Sequence, residues 1–194
     1  DYNGMKLVRE QARPVSSDTG LNEMRAMIEA GRLPAKAARP GSDRPLDIGA
    51  RYLEHLLGYV DRSKLRKLKV VVNPGNGGAG LVIDRLEPHL PFEFIKVHHE
   101  PDGTFPNGVP NPMLEENRAA TADVVRRTGA DVGLAWDGDY DRSFFFDEQG
   151  RIIEGYYLVG LLAEVFLARE KGGRIVHDPR LTGMSSDEVY DILV

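Results

Sequence analysis

The clearest structural signal lies in residues 132–146, which read VGLAWDGDYDRSFFF. Residues 131–136, apolar from Val132 onward, have the pattern of a buried strand, and residues 143–147, with three consecutive phenylalanines, predict a second strand. Between them, Asp137, Asp139 and Asp141 occupy alternate positions, and Arg142 follows. Three such carboxylates repel one another unless solvent surrounds them or a cation lies between them. We therefore expect a metal-binding loop at a strand end, with Mg²⁺ as the ion and the Arg142 guanidinium matched to a phosphate.

Strand and helix patterns alternate on either side of this loop. Strands are predicted at 70–72, 93–97, 131–136, 143–147, 152–153 and 174–177. Helices are predicted at 19–32, 47–60, 80–90, 113–128, 156–171 and 185–193, and the apolar residues of the helix at 156–171 are expected in the core. The pattern is typical of an α/β fold with a mixed, largely parallel sheet.

Composition restricts the classes of function. The chain has 194 residues, 41% of them hydrophobic, and a formal net charge of −5, which argues against nucleic acid as a partner. It has no cysteine, so disulfides and thiolate chemistry are excluded. No apolar run approaches the roughly 20 residues that cross a bilayer, so no membrane partner is expected. The sequence starts at Asp1 without an initiator methionine, and we expect a fragment of a longer polypeptide.

Two other interpretations of the motifs remain open from the residues alone. Counted from Asp137, the acidic positions one, three, five and twelve (Glu148) have the spacing of an EF-hand calcium loop, although Arg142 stands where that loop needs glycine. Residues 75–80 form a literal G-x-G-x-x-G after a predicted strand, with Glu100 at the spacing of a ribose-binding acid. The first pattern would indicate a non-catalytic calcium module and the second an NAD-dependent oxidoreductase.

Three further groups of residues are weighed as ligands. His98 and His99 precede a Pro-Asp-Gly turn, which favours a hydrogen-bonded loop over a catalytic base. Arg180 follows the last predicted strand and is a candidate phosphate ligand, since ligands bind beyond the carboxyl ends of strands in α/β sheets. Lys6 by itself indicates only a solvated lysine.

Taken together, several segments resemble the α-D-phosphohexomutase family, and most closely its bacterial members that act on mannose phosphates. These segments are DYNGMKLVRE (1–10), NPGNGGAG (73–80), PDGTFPNGVPNPM (101–113), WDGDYDRSFFFDEQG (136–150), IEGYYLVGLLAE (153–164) and HDPRLT (177–182). The resemblance implies a four-domain protein built from three-layer α/β/α domains. Residues 1–41 would end domain 1, residues 42–148 would form domain 2, and residues 149–194 would begin domain 3.

The resemblance also implies an activity. The family moves a phosphoryl group between the 1- and 6-positions of a hexose through a phosphoserine, with a hexose 1,6-bisphosphate as intermediate and activator. Asp137, Asp139 and Asp141 would bind Mg²⁺, Arg142 would lie beside the phosphate, Lys6 would be the acid/base, and Arg180 would bind substrate. The implied partners are a phosphorylated hexose and the remaining domains of the same polypeptide, in the cytoplasm.

This sequence departs from the family pattern in two places. The serine loop that precedes the D-Y-N-G segment in the family is absent from these residues, and residues 182–186 (TGMSS) differ from the expected continuation. We therefore expect the isolated chain to be inactive.

Overall fold

The computed structural model of the chain describes residues 5–176, which fall into two compact units, residues 5–46 and residues 47–176. In the first unit, Val8 and Pro14 form an antiparallel bridge, and helix α1 spans Leu21–Glu29. The side chains of Ser16 and Thr19 form a capping box one turn before this helix. The helix predicted at 19–32 is confirmed at its centre.

The second unit is a mixed five-stranded sheet with helices. Its helices are α2 (Gly49–Leu57), α3 (Ala79–Leu86), α4 (Ala119–Thr128) and α5 (Gly155–Arg169). Its strands are β1 (Leu68–Asn73), β2 (Phe92–Lys96), β3 (Val132–Trp136), β4 (Ser143–Phe146) and β5 (Ile152–Ile153). The order is β2-β1-β3-β4-β5, in which β2, β1 and β3 are parallel and the hairpin of β4 and β5 is antiparallel. The predicted α/β class is confirmed.

Strand β1 separates two apolar layers, because successive side chains of a strand point to opposite faces. Val71 packs with Val125 of α4 and Phe146 of β4 on one face. Val70 and Val72 pack with Ile83 of α3 on the other. The sheet is therefore covered on both faces, which gives the three-layer arrangement.

Three local predictions were wrong. Residues 174–176 form no strand, and Val176 is 96% exposed with no strand beside it in the described part of the chain. Helix α4 begins at Ala119 and not at Met113, because a short 3-10 turn, Glu115–Asn117, comes first. Helix α5 is apolar on nearly every side, yet Ala163 is the only one of its residues that the described part of the chain buries.

No helix in residues 5–176 combines the length and apolar character needed to cross a membrane.

Candidate metal centre

The acidic loop joins β3 to β4, and its three aspartates lie together. Strand β3 alternates buried and half-buried positions, and Asp137 continues this alternation into the loop, so its side chain is only 2% exposed. Asp139 and Asp141 are exposed. One carboxylate oxygen from each of the three lies within 4.8 Å of the others.

Arg142 pairs with the buried carboxylate at the base of this loop. Its Nε donates to Asp137 Oδ2 over 2.6 Å, and its backbone N–H donates to Asp137 Oδ1 over 3.1 Å. The hydrogen bond with Asp137 is the main cause that raises the pKa of Arg142 above its usual value, followed by the charge of Asp137. The guanidinium is half exposed, so it is accessible at the edge of the loop.

The backbone of the loop forms a tight turn. The N–H of Tyr140 donates to the carbonyl of Asp137 over 3.1 Å, and Tyr140 has a left-handed φ of 51°. The turn brings Asp139 and Asp141 back over Asp137. The donor set, three oxygens from separate carboxylates, fits a hard cation such as Mg²⁺ or Ca²⁺, and Mg²⁺ oxygens in one octahedron lie roughly 3 to 4 Å apart. A small side-chain adjustment would therefore bring all three to one ion.

The geometry rejects the EF-hand interpretation. Residues 143–146 of the supposed twelve-residue calcium loop are strand β4, which holds Glu148 away from Asp137. Four strand residues extend over roughly 13 Å. Glu148 is accordingly not part of the acidic cluster, and the flanking elements are strands where an EF-hand has helices.

The glycine-rich turn after β1 is also not arranged as a dinucleotide site. Its backbone N–H groups already donate to protein carbonyls: Asn76 to His98 over 2.7 Å, Gly77 to Pro74 over 2.9 Å, and Gly78 to Gly138 over 3.1 Å. The N–H groups that would hold a pyrophosphate in a nucleotide-binding turn are therefore engaged. Glu100 contributes its backbone carbonyl to this region, where it accepts from the Asn76 side chain over 2.8 Å.

Two asparagines that sequence reasoning missed organise this edge of the sheet. Asn73, at the end of β1, is buried, and its Nδ2 donates to Thr121 Oγ1 over 3.0 Å while its Oδ1 accepts from the Gly75 N–H over 3.0 Å. The side-chain amide of Asn76 bonds to the loop at residues 98–107 twice: its Nδ2 donates to the Glu100 carbonyl, and its Oδ1 accepts from Asn107 Nδ2. An asparagine directly after a buried strand was the available signal, since Asn caps turns with its side chain. A polar cleft of about 120 Å³ opens beside Asn73, Asn107 and Trp136.

The other predicted residues fall outside this cluster. His99 Nε2 lies 2.8 Å from Asp84 Oδ1, beside Lys96, in agreement with a structural role. Lys6 is exposed and belongs to the first unit. Arg180, like the predicted helix at 185–193, lies outside the described residues.

Comparison with known proteins agrees with the fold. A profile of the family described as "Phosphoglucomutase/phosphomannomutase, alpha/beta/alpha domain II" matches residues 50–150. The curated "Phosphohexose mutases" of Xanthomonas campestris pv. campestris (strain B100) are 63% identical over 191 residues, which cover 98% of this chain and 42% of the relative. The "Phosphomannomutase" of Salmonella typhimurium is 57% identical over 189 residues, which cover 94% of this chain and 41% of the relative.

A solved structure shows the same architecture. The crystal structure of a phosphoglucomutase/phosphomannomutase family protein from Burkholderia thailandensis superimposes with a TM-score of 0.76 at 31% identity, over 88% of this chain and 36% of that one. This chain thus spans about two fifths of the curated relatives it matches. With its middle half matched by the family profile and most of its length by these relatives, the chain belongs to the phosphoglucomutase/phosphomannomutase family.

Proposed function

We propose that the chain is part of a phosphomannomutase that interconverts mannose 6-phosphate and mannose 1-phosphate, with some action on glucose phosphates. The observation that carries the proposal is the cluster of Asp137, Asp139 and Asp141 beside Arg142, in a chain whose relatives include curated phosphomannomutases. The reaction would use a phosphoserine and a hexose 1,6-bisphosphate intermediate, which would also serve as activator.

The three aspartates would hold Mg²⁺. A bound Mg²⁺ neutralises the charge on the oxygens of a phosphoryl group during transfer. Arg142 adds a second, fixed positive charge with a planar set of donors that suits a phosphate. Because Arg142 is already held by the buried Asp137, its guanidinium is positioned before substrate arrives, and little entropy is lost on binding.

Lys6 and Arg180 complete the proposed machinery. Lys6 is the proposed acid/base: it would take the proton of the attacking hexose hydroxyl as that oxygen bonds to phosphorus and the bond from phosphorus to the serine oxygen breaks. Arg180 is the proposed ligand of the other phosphate of the substrate. Both assignments rest on the resemblance of residues 1–10 and 177–182 to the family segments.

The proposed domain boundaries follow the same resemblance. Residues 1–41 would belong to domain 1, residues 42–148 to domain 2, and residues 149–194 to domain 3 of a four-domain polypeptide. The family's serine loop is not among these 194 residues, so we propose that the chain alone has no mutase activity.

Phosphorus NMR on the full-length polypeptide tests the function. The sample contains mannose 6-phosphate or glucose 6-phosphate, Mg²⁺ and a trace of the hexose 1,6-bisphosphate. We expect a hexose 1-phosphate resonance that collapses in Asp139→Ala and persists in the control Asp123→Ala, an exposed aspartate of α4. No product from either hexose phosphate would contradict the proposed reaction, and turnover by the 194-residue chain alone would contradict its proposed inactivity.

A further inference from the structure

We propose that Gly77, in the turn after β1, is a positioning residue for the acidic loop. Because Gly77 has no side chain, the backbone of Gly138 can lie directly against it, and this contact sets the arrangement of the aspartates for a divalent cation. The inference rests on the proposed metal site but concerns a residue that offers no ligand atom and lies far from the loop in the sequence.

The space beside Gly77 is filled by backbone. A Cβ atom at position 77 would lie 2.5 Å from the carbonyl oxygen of Gly138, 2.9 Å from its Cα and 3.0 Å from its carbonyl carbon. Backbone atoms cannot rotate aside as a side chain can, so one segment would have to move. Gly77 does not have a left-handed φ, so the close contact, and not the local backbone conformation, is what requires glycine here.

The turn and the loop are also joined by a hydrogen bond, from the Gly78 N–H to the Gly138 carbonyl over 3.1 Å. The ring of Phe105 also lies close to Gly138, since a Cβ on Gly138 would lie 3.2 Å from its Cζ. The glycine turn and the Phe105 ring therefore form two walls of an enclosure around Gly138.

Asn76 joins the two walls of this enclosure through hydrogen bonds. Its Nδ2 donates to the Glu100 carbonyl over 2.8 Å, and its Oδ1 accepts from Asn107 Nδ2 over 2.9 Å. Its backbone carbonyl accepts from the Asp102 N–H over 2.9 Å. These bonds tie the turn to the segment that carries Phe105. We therefore expect a methyl group at position 77 to displace the acidic loop, because these hydrogen bonds hold the turn in place.

Displacement of Gly138 changes the metal site directly, because Asp137 and Asp139 are its chain neighbours. Metal–ligand distances tolerate deviations of only about 0.2 Å. Changes to residues that orient metal ligands commonly lower affinity about 10- to 100-fold. We expect Gly77→Ala to fall in that range.

The test is titration with Mn²⁺, which takes the same oxygen ligands as Mg²⁺ and whose free form is measured by electron paramagnetic resonance. The chain, Gly77→Ala and two matched glycine variants are titrated well below their melting temperatures. Gly155→Ala, at the first turn of α5, places its methyl in open space. Gly103→Ala also places it in open space. Both controls should bind Mn²⁺ within about twofold of the unmodified chain.

The outcomes separate this inference from the proposed function. A loss of at least about tenfold in Gly77→Ala alone, with Mn²⁺ binding retained in both controls, supports the positioning role. Equal affinities of Gly77→Ala and Gly103→Ala overturn it and leave the proposed metal site intact. No Mn²⁺ binding by the unmodified chain overturns the metal site itself and the inference with it.

A second variant decides the case if Gly77→Ala does not fold. Gly138→Ala crowds the same enclosure from the loop side, against a ring that needs to give by only a few tenths of an ångström. We expect a smaller loss of Mn²⁺ affinity there, about threefold. An unchanged affinity in Gly138→Ala would then overturn the inference.

Discussion

The guanidinium of Arg142 covers the carboxylate of Asp137, with Nε 2.6 Å from Oδ2, so the buried acid of the loop is paired within its own turn. Breaking a buried pair by removing one partner leaves a charge without compensation. A divalent cation bound at the same loop would also neutralise the negative charge of Asp137, in addition to Arg142. With a metal ion bound as proposed, Arg142 and the ion would both stabilise the charge of Asp137.

We expect Arg142→Ala to lower the melting temperature of the metal-free chain by several degrees, and Mg²⁺ to restore much of the loss. The gain in melting temperature on adding Mg²⁺ should thus be larger in the variant than in the unmodified chain. Differential scanning calorimetry with and without Mg²⁺ measures both values. Arg126→Ala, which removes an exposed pair with Asp123, is the control and should change neither. An equal Mg²⁺ gain in all three proteins would contradict the shared role.

Asn73→Ala is expected to lower the free energy of unfolding by about 1–3 kcal/mol, because it removes a buried amide that serves both Thr121 and the Gly75 N–H. Urea unfolding measures the change. The exposed Asn22→Ala in α1 is the control. A double-mutant cycle with Thr121→Val should show that the two losses are not additive. Additive losses would mean that the two side chains act independently.

Gly133→Ala is expected to destabilise the chain by about 1–3 kcal/mol through overpacking. A Cβ at Gly133 would lie 2.7 Å from Val125 Cγ2 and 3.2 Å from the Cβ of Phe146, where α4 packs on the sheet. Gly155→Ala, at the first turn of α5, meets nothing within 4 Å and should be neutral or slightly stabilising. Chemical denaturation of both variants measures the difference. Equal stabilities of the two variants would contradict the tight packing of α4 against Gly133.

The surface cluster around Lys96 predicts a pH dependence of stability. The Lys96 ammonium donates to Asp84 over 2.8 Å and to Glu87 over 2.7 Å, and His99 also contacts Asp84. The hydrogen bond from Lys96 lowers the pKa of Asp84, and the same bond raises the pKa of Lys96. The contribution of Asp84 is therefore present above its unfolded pKa and is lost as pH falls through the lowered value. The contribution of Lys96 is present below its unfolded pKa and is lost as pH rises through the raised value.

Lys96→Met should accordingly lower the free energy of unfolding at pH 7 by less than about 1 kcal/mol, since these groups are partly exposed and screened by solvent. In strong acid, where the carboxylates are protonated, the difference from the unmodified chain should shrink. Urea unfolding at the two pH values checks this, with the exposed Lys67→Met as control. A difference that grows in acid would contradict the assignment.

Local patterns predicted strands β1 to β5 and the loop between β3 and β4 well. The apolar run that ends at Trp136 and the alternating acids that follow it are signals contained in a few neighbouring residues. The central part of the fold was therefore accessible from sequence.

Long-range contacts were not accessible in this way. The glycines at 75–80 resembled a nucleotide-binding turn, but the small size of Gly77 and Gly78 serves contact with the acidic loop, which comes about 60 residues later in the chain. The apolar residues of α5 predicted a core helix, but the described residues cover little of it, and Leu161 and Phe166 are exposed. Whether an apolar side chain is buried depends on the elements that pack against it, and a sequence pattern shows only that the side chain is apolar.

The register of the hairpin has a consequence for engineering. Trp136 and Ser143 are paired across β3 and β4, so the six residues between them leave and re-enter the sheet at a single rung. Residues 137–142 could therefore be transplanted into another hairpin in which the two flanking residues are paired in the same way. Because this segment also packs against the backbone of the turn after β1, a recipient sheet would need a strand in the place of β1, followed by a turn with glycines at the positions of Gly77 and Gly78.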